Sequence, residues 1–478
     1  MKPKLKVFEE FSKALLPHEA RYLQSLANFQ DAEKRNIFQN LVDNSLNPEK
    51  ESSFDPDIDK RKYHHIKTWA EHRLSLRDVD KVAEWLLDFD KKLALDLVTA
   101  EEEKAMLDYV KNYRDITFNF QILYRIMRDY RSYLLIRMRY EDHIIISDFL
   151  ERYHEVYLRT TEIQEKLYQA TNEITEQFTR GENRSVYWEK WLKKVFESEN
   201  INGNSRYKAF ILLAFMYNNT GDLEKLQQIF DKIDGFFNKG SLYCRRLLYN
   251  YYSSRVLLHS KQRSYEAAVY YGKLSIRQLN EDTLMYVNNL VSIYLRLNQN
   301  KEAFDLLEDY KTIYENTHND LQKIIYISYY LRALNELNLS RKAENIGIYF
   351  LQKFETEILK LRWHHFFTSY ITALVINENY SAILQLEKKF GLTEKEMKRK
   401  NAVNYVPNIQ WAISVAAFFE NKISEEKLFS TISESLADVE MTDHNKEFIE
   451  KNIEILSKNL PELKVFFKSY LRNQAFKW

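Results

Sequence analysis

The chain has 478 residues with 70 basic and 69 acidic side chains and a net charge of +1. Such dense, balanced charge covers solvated helix faces and supplies no global field to steer the chain to DNA or an anionic membrane. With 8 Gly and 6 Pro, no Pro between Asp57 and Val406 and no Gly before Gly181, sheets and tight turns lack their usual residues, and an all-α fold is expected.

One cysteine, Cys244, rules out an intrachain disulfide framework and fits a reducing compartment. The opening MKPKLKVFEEFSKALL has no uninterrupted apolar core, so no secretory signal is read in it. No apolar run approaches the ~20 residues of a membrane span. A cytoplasmic protein is the expectation.

In chain order, a short helix over Lys6–Leu16 is expected, a break at Pro17, then a longer helix with an apolar stripe from Ala20 to Leu41. Residues 46–59, with two prolines and clustered polar side chains, read as a loop, either mobile or ordered by a partner. One or two helices should cover Lys60 to Leu97. Thr99 resembles a capped start, from which a helical pattern runs to about Tyr140. Another runs from Ile144 to about Phe178 and closes at Arg180-Gly181-Glu182-Asn183. Two helices of that length suggest a bundle or long hairpin, so residues 1–200 are expected to form an N-terminal helical domain. Tyr187–Glu199 then serves as an adaptor, and Gly203 marks a boundary turn.

From Ser205 to Leu436 a pattern recurs. FILLAFMYNNTGDLEKLQQIF, residues 210–230, reads as two short amphipathic helices joined at Asn-Thr-Gly-Asp. Apolar residues each a few positions after a polar turn are Leu226, Ala268, Ala303, Ala343, Ile383 and Leu428, at spacings of 42, 35, 40, 40 and 45. A helix pair at such a period is the signature of an α-solenoid. Phe210, Leu213, Ala214, Tyr217, Gly221, Phe230 and Ile233, followed by Val287, Leu290, Tyr294, Ala303 and Leu307, give this stretch a pattern that resembles the tetratricopeptide repeat. Irregular spacing and the missing terminal Pro depart from that family. The resemblance implies about 5–6 helix pairs over residues 205–436, with residues 437–478 as capping helices.

Chemistry-bearing motifs are scarce. His64, His65 and His72 lack the spacing of a zinc helix, and His364-His365, between Trp363 and Phe366, suggest packing plus one exposed ring. No Gly-rich phosphate loop, GxSxG or CxxC is present. Cys244 reads as a small buried residue. No metal, cofactor or catalytic residue is therefore expected. Arg125, Arg128 and Arg139 fall within about 60° of one another on a helix and form a candidate anion or partner patch. Arg137 falls on the apolar side as the better candidate for a buried, paired arginine.

The leading expectation is a non-enzymatic scaffold that binds a protein or peptide. The tetratricopeptide resemblance implies a concave groove lined by first helices. Its positions here are Asn218, Asn219, Asn288, Ser292, Arg296, Arg332, Asn335 and Glu336, with Asn288, Arg296, Arg332 and Asn335 facing solvent. Amides and guanidinium forks suit a peptide backbone or carboxylate. Two alternatives stand beside it. One is a peptide-responsive regulator, since a helical bundle before such repeats resembles the layout of bacterial Rap-type receptors. The other is an enzyme working through the Arg patch. DNA binding is not expected, because the Gly-free N-terminus lacks the turn of a helix-turn-helix.

Overall fold

The computed structural model describes residues 5–47, 52–180, 187–400 and 405–475. Those residues form 26 helices and no strand, with 78% helix. The expected helix stop at 181–183, residues 48–51 of the expected loop, and 401–404 lie outside them. Compactness divides the chain into two units, 1–277 and 278–478.

The first unit holds α1 (Lys6–Ala14), α2 (Pro17–Leu26), α3 (Ala32–Leu46), α4 (Lys60–Ser75), α5 (Val79–Ala94), α6 (Ala100–Lys111) and α7 (Phe120–Ile136). It continues with α8 (Tyr140–Arg152), α9 (His154–Arg180), α10 (Tyr187–Glu197), α11 (Gly203–Thr220), α12 (Leu223–Asn238), α13 (Arg245–Lys261) and α14 (Tyr265–Ser275). Pro17 begins α2, where its missing amide hydrogen costs nothing. The expected long helix after it is two, because the Asp31 carboxylate accepts from the amides of Glu33 and Lys34 and starts α3 afresh. Thr99 and Glu102 form the expected capping box.

The expected pair of very long helices is broken. α6 ends at Lys111 before α7 begins at Phe120, and α8 and α9 meet at Tyr153. One apolar cluster explains the breaks. It draws Leu86 and Phe89 from α5, Met106 from α6, Ile126 and Tyr130 from α7 and Phe149 from α8, which a single straight hairpin could not bring together. The 52–59 segment is also pinned within its own unit. Phe54 is buried edge-on against Phe8, and the Asn44 carboxamide both accepts from and donates to the backbone of Ser52. Gly203 is the first residue of α11 and buried, not a boundary turn.

Helices α11–α14 belong compactly with the N-terminal helices, because buried polar contacts tie them. His18 of α2 bonds Asp234 at 2.7 Å and Tyr252 at 2.8 Å. The fully buried Glu19 carboxylate accepts from Arg245 at 2.7 Å and from Tyr243 at 2.6 Å.

The second unit holds α15 (Thr283–Arg296), α16 (Asn300–Asp309), α17 (Lys311–Asn316), α18 (Asp320–Glu336), α19 (Ser340–Leu361) and α20 (Trp363–Ile376). Then come α21 (Tyr380–Phe390), α22 (Leu392–Met397), α23 (Asn408–Phe419), α24 (Glu425–Leu436), α25 (Asp443–Leu456) and α26 (Pro461–Ala475). Each first helix packs on its own second helix and on the next first helix: α15 on α18, α18 on α20, α20 on α23. Gly347 lets α19 approach α20 this closely, since a Cβ there would meet the Tyr370 ring at 2.3 Å. The marker residues Leu226, Ala268, Ala303, Ala343, Ile383 and Leu428 are all buried on second helices. A left-handed residue precedes each: Gly221, Arg263, Asn298, Asn338, Glu378 and Asn421. The amide after it reaches back five residues, as from Gln299 to Tyr294 at 2.9 Å and Leu339 to Leu334 at 2.8 Å, closing the first helix with a Schellman turn.

Candidate functional site

α18, α20 and α25 of the second unit enclose a cleft of about 180 Å³. Arg332, Asn335 and Glu336 line it from α18, His364, His365, Thr368, Ser369 and Thr372 from α20, and Phe448, Lys451, Asn452 and Ile455 from α25. The first-helix walls exist because aromatic and aliphatic residues such as Tyr326, Leu334, Phe366 and Leu374 fill the opposite helix faces. α25 is the start of the expected capping tail, yet it packs against α20 and α23 and forms one wall. Glu336 and Lys451 join the walls at 2.6 Å.

Asn335 sits at the base. Its Nδ2 donates to the Ser369 carbonyl at 2.9 Å, while Oδ1 has no partner, with only 8% of the residue exposed. Asn288 repeats this arrangement one pair earlier, donating to the Gln322 carbonyl at 3.1 Å with Oδ1 unpartnered. Asn408, two first helices later at the start of α23, instead donates back to the Thr368 hydroxyl of α20 at 3.2 Å, and its Oδ1 is also unpartnered. Buried carbonyl oxygens without donors are costly, and these three lie on α15, α18 and α23.

The expectation that Asn288 and Asn335 face solvent is corrected: both are buried, because each carboxamide bridges two first helices. Arg296 is exposed, and Ser292 is half-buried with its hydroxyl donating to the Asn289 carbonyl. Arg332 is half-buried. Burial pulls its guanidinium below the ordinary arginine range and Arg296 adds repulsion, against the opposing pull of Glu336. Of the expected groove, Arg332, Asn335 and Glu336 share one cleft. Asn218 and Asn219 belong to the first unit, where the Asn218 carbonyl accepts from Lys261 at 2.6 Å.

A second cleft, of about 250 Å³, adjoins at His364 and His365 and is lined also by Leu361, Arg362, Trp363 and Arg399. His364 Nε2 lies 3.1 Å from Glu396, whose buried carboxylate also accepts from the amides of Ile409 and Gln410 at the start of α23. His365 packs edge-on against Tyr329 at 4.9 Å. Burial, then Arg332, Arg362, His364 and Arg399, brings its pKa down to about 3, so it is neutral at neutral pH. Neither histidine is the freely exposed ring expected from the sequence. Arg362 and Arg399 were not singled out by the sequence; their signal was the pairing of Arg362 with the helix start at Trp363.

The expected Arg patch is neither one helix face nor three free guanidinium groups, because α7 ends at Ile136 and Arg139 sits at the start of α8. Arg125 pairs with Asp90 at 2.7 Å, and Arg139 is clamped between Glu103 and Asp142, leaving Arg128 exposed. Arg137 is paired as expected, with Asp96, but it is exposed and stacks on the Tyr133 ring. Among the described residues, one set with metal-ligand chemistry converges, Asp78, Asp80 and Cys244. All three are already engaged in the fold, since Asp78 caps α5, Asp80 pairs with Arg246 at 2.7 Å, and burial pushes the Cys244 thiol well above its ordinary range. No helix among the described residues is long and apolar enough to cross a membrane.

The chain matches no protein-family model, no curated protein and no solved structure.

Proposed function

We propose that the chain is a non-enzymatic interaction scaffold of tetratricopeptide-like helix pairs, which receives an extended protein segment along the first helices of its second unit. The observation that carries this reading is Asn335. Asn335, whose buried carboxamide oxygen has no partner within the fold, lines a cleft beside a guanidinium that has no carboxylate within ion-pair distance among the described residues. A peptide backbone brings both complements, an N–H for the oxygen and a carbonyl for Arg332. The same arrangement at Asn288 of α15 fits a segment that runs across more than one pair rather than a compact small molecule. The lone buried Cys244 agrees with a reducing compartment, and we assign the cytoplasm.

The test is selection of peptides from a random library on the full chain, followed by binding to Thr372→Trp, which fills the cleft from its α20 wall. Selected peptides should bind the parent and lose at least tenfold in affinity with the folded variant. Enriched peptides that bind both proteins equally would reject the cleft. An absence of enriched peptides would reject the scaffold reading.

A further inference from the structure

The second cleft has a chemistry that a peptide backbone alone does not explain. Arg362 and Arg399 line it, and neither side chain has a hydrogen bond or ion pair among the described residues. Arg332 stands on the far side of His365, in the adjoining cleft, and makes one long bond, 3.4 Å to the Leu295 carbonyl. The nearby acids are already engaged. Glu396 is occupied by His364 and two α23 amides, and Glu336 by Lys451. Three cationic groups thus bear on one neutral ring, His365, and the Glu396 and Glu336 carboxylates offset Arg399 and Arg332 only from a distance, without an ion pair to either.

The backbone adds to this. The 14-residue helix α20 begins at Trp363, no side chain caps it, and its first turn holds no acid. Its first residues, Trp363, His364 and His365, line the same cleft. The amides at a helix start are unsatisfied within the helix and carry partial positive charge, which suits an anion. His365 Nδ1 is sealed from solvent and also lacks a partner.

We propose that this cleft is a phosphoryl-binding subsite, formed by Arg362, Arg399 and the start of α20 with Arg332 behind it, that anchors a phosphorylated residue of the segment in the adjoining groove. A carboxylate offers two oxygens and one charge. A phosphoryl group offers three oxygens and close to two charges, which matches several unpaired guanidinium groups and a helix start better. This deepens the scaffold reading and rests on it for the source of the phosphoryl group, while the subsite itself is testable without any peptide.

The probe is inorganic phosphate, titrated into the full chain at constant ionic strength and followed by calorimetry. Saturable binding should weaken at least tenfold in Arg362→Ala/Arg399→Ala, whose side chains are exposed and unpaired, with the melting temperature unchanged. Arg362→Lys/Arg399→Lys controls for charge and should recover part of the affinity. No saturable phosphate binding, or equal binding by the parent and the double Ala variant, overturns the subsite whatever becomes of the peptide groove. A second arm compares a phosphoserine peptide from the library selection with its unmodified and glutamate forms. The phosphopeptide should bind at least tenfold more tightly than either, and only with Arg362 and Arg399 present. Phosphate bound with no such preference would leave free phosphate as the ligand and overturn the partner-borne source. Tighter binding of single-stranded RNA, whose diesters carry one charge each, would overturn the proposal as a whole.

Discussion

The Asn335 side chain on α18 donates to the main-chain carbonyl of Ser369 on α20, 34 residues away, at 2.9 Å. The bond joins consecutive first helices, so Asn335 is both structural and a lining residue of the cleft. Asn335→Ala should therefore destabilise by about 1 kcal/mol, the net worth of a typical buried hydrogen bond. Asn335→Asp should cost clearly more, because it sets a buried carboxylate against a carbonyl oxygen. Urea denaturation of both variants decides it; an Asp variant as stable as the Ala variant would mean the amide is not the donor.

The helix pairs were legible because their turns follow one rule. A left-handed residue stands five positions before the buried marker in five of the six pairs, as with Gly221 before Leu226 and Asn338 before Ala343. Asn421 and Leu428, seven apart, depart from it. Asn and Gly at such positions signal the turn, because they accept positive φ at low cost. Arg263 and Glu378 gave no signal, since only the following helix forces them there. The long N-terminal helices misled because Ile122, Ile126, Tyr130 and Leu134 keep helical period. Nothing in that period shows that residues 112–119 must bend to bring Met106 into the same core. The cleft was half legible. First-helix polar residues mark Arg332 and Asn335, but the opposing wall comes from α25, about a hundred residues later, and no periodicity announces it.

That turn rule predicts opposite signs for two substitutions. Gly221 has φ of +72° and open space where a Cβ would stand, so Gly221→Val carries backbone strain without a clash. It should destabilise by ~1 kcal/mol or more. Glu378, at φ of +59°, already bears that strain. Glu378→Gly should stabilise by about 0.5–1 kcal/mol, less the entropy glycine loses on folding. Melting temperatures that shift in the same direction for both would contradict the shared turn geometry.

Glu396 makes a prediction about the wall behind the second cleft. Its carboxylate accepts from the Ile409 amide at 3.2 Å and the Gln410 amide at 2.7 Å while fully buried. Glu396→Ala strands both donors and should cost about 3 kcal/mol. Glu396→Gln keeps one accepting oxygen and should cost distinctly less. Hydrogen exchange at Ile409 and Gln410 offers a local check: protection there should fall in the Ala variant before protection in α18 changes.

Three histidines held below their ordinary range, His18, His259 and His365, contribute to the acid response, and His18 and His365 are the most buried of them. Burial holds His18 below its ordinary 6.5 even though Asp234 opposes the shift, and burial with neighbouring cations takes His365 to about 3. In the unfolded chain both titrate near 6.5. Above that pH neither state binds the extra proton, and stability does not depend on these groups. Below it the unfolded chain takes up protons that the folded chain refuses, so stability falls as pH falls, from 6.5 down to about 3 for His365. Each group contributes a slope of at most ~1.4 kcal/mol per pH unit. Urea midpoints measured at pH 7, 6 and 5 in phosphate-free buffer should decline steadily. His365→Leu should remove its share of that slope, and His18→Leu combined with it should flatten the response further, each at some cost in stability at pH 7. A His365→Leu profile parallel to that of the parent would mean that His365 titrates normally, and that the cations around its ring are held farther off than the cleft geometry requires.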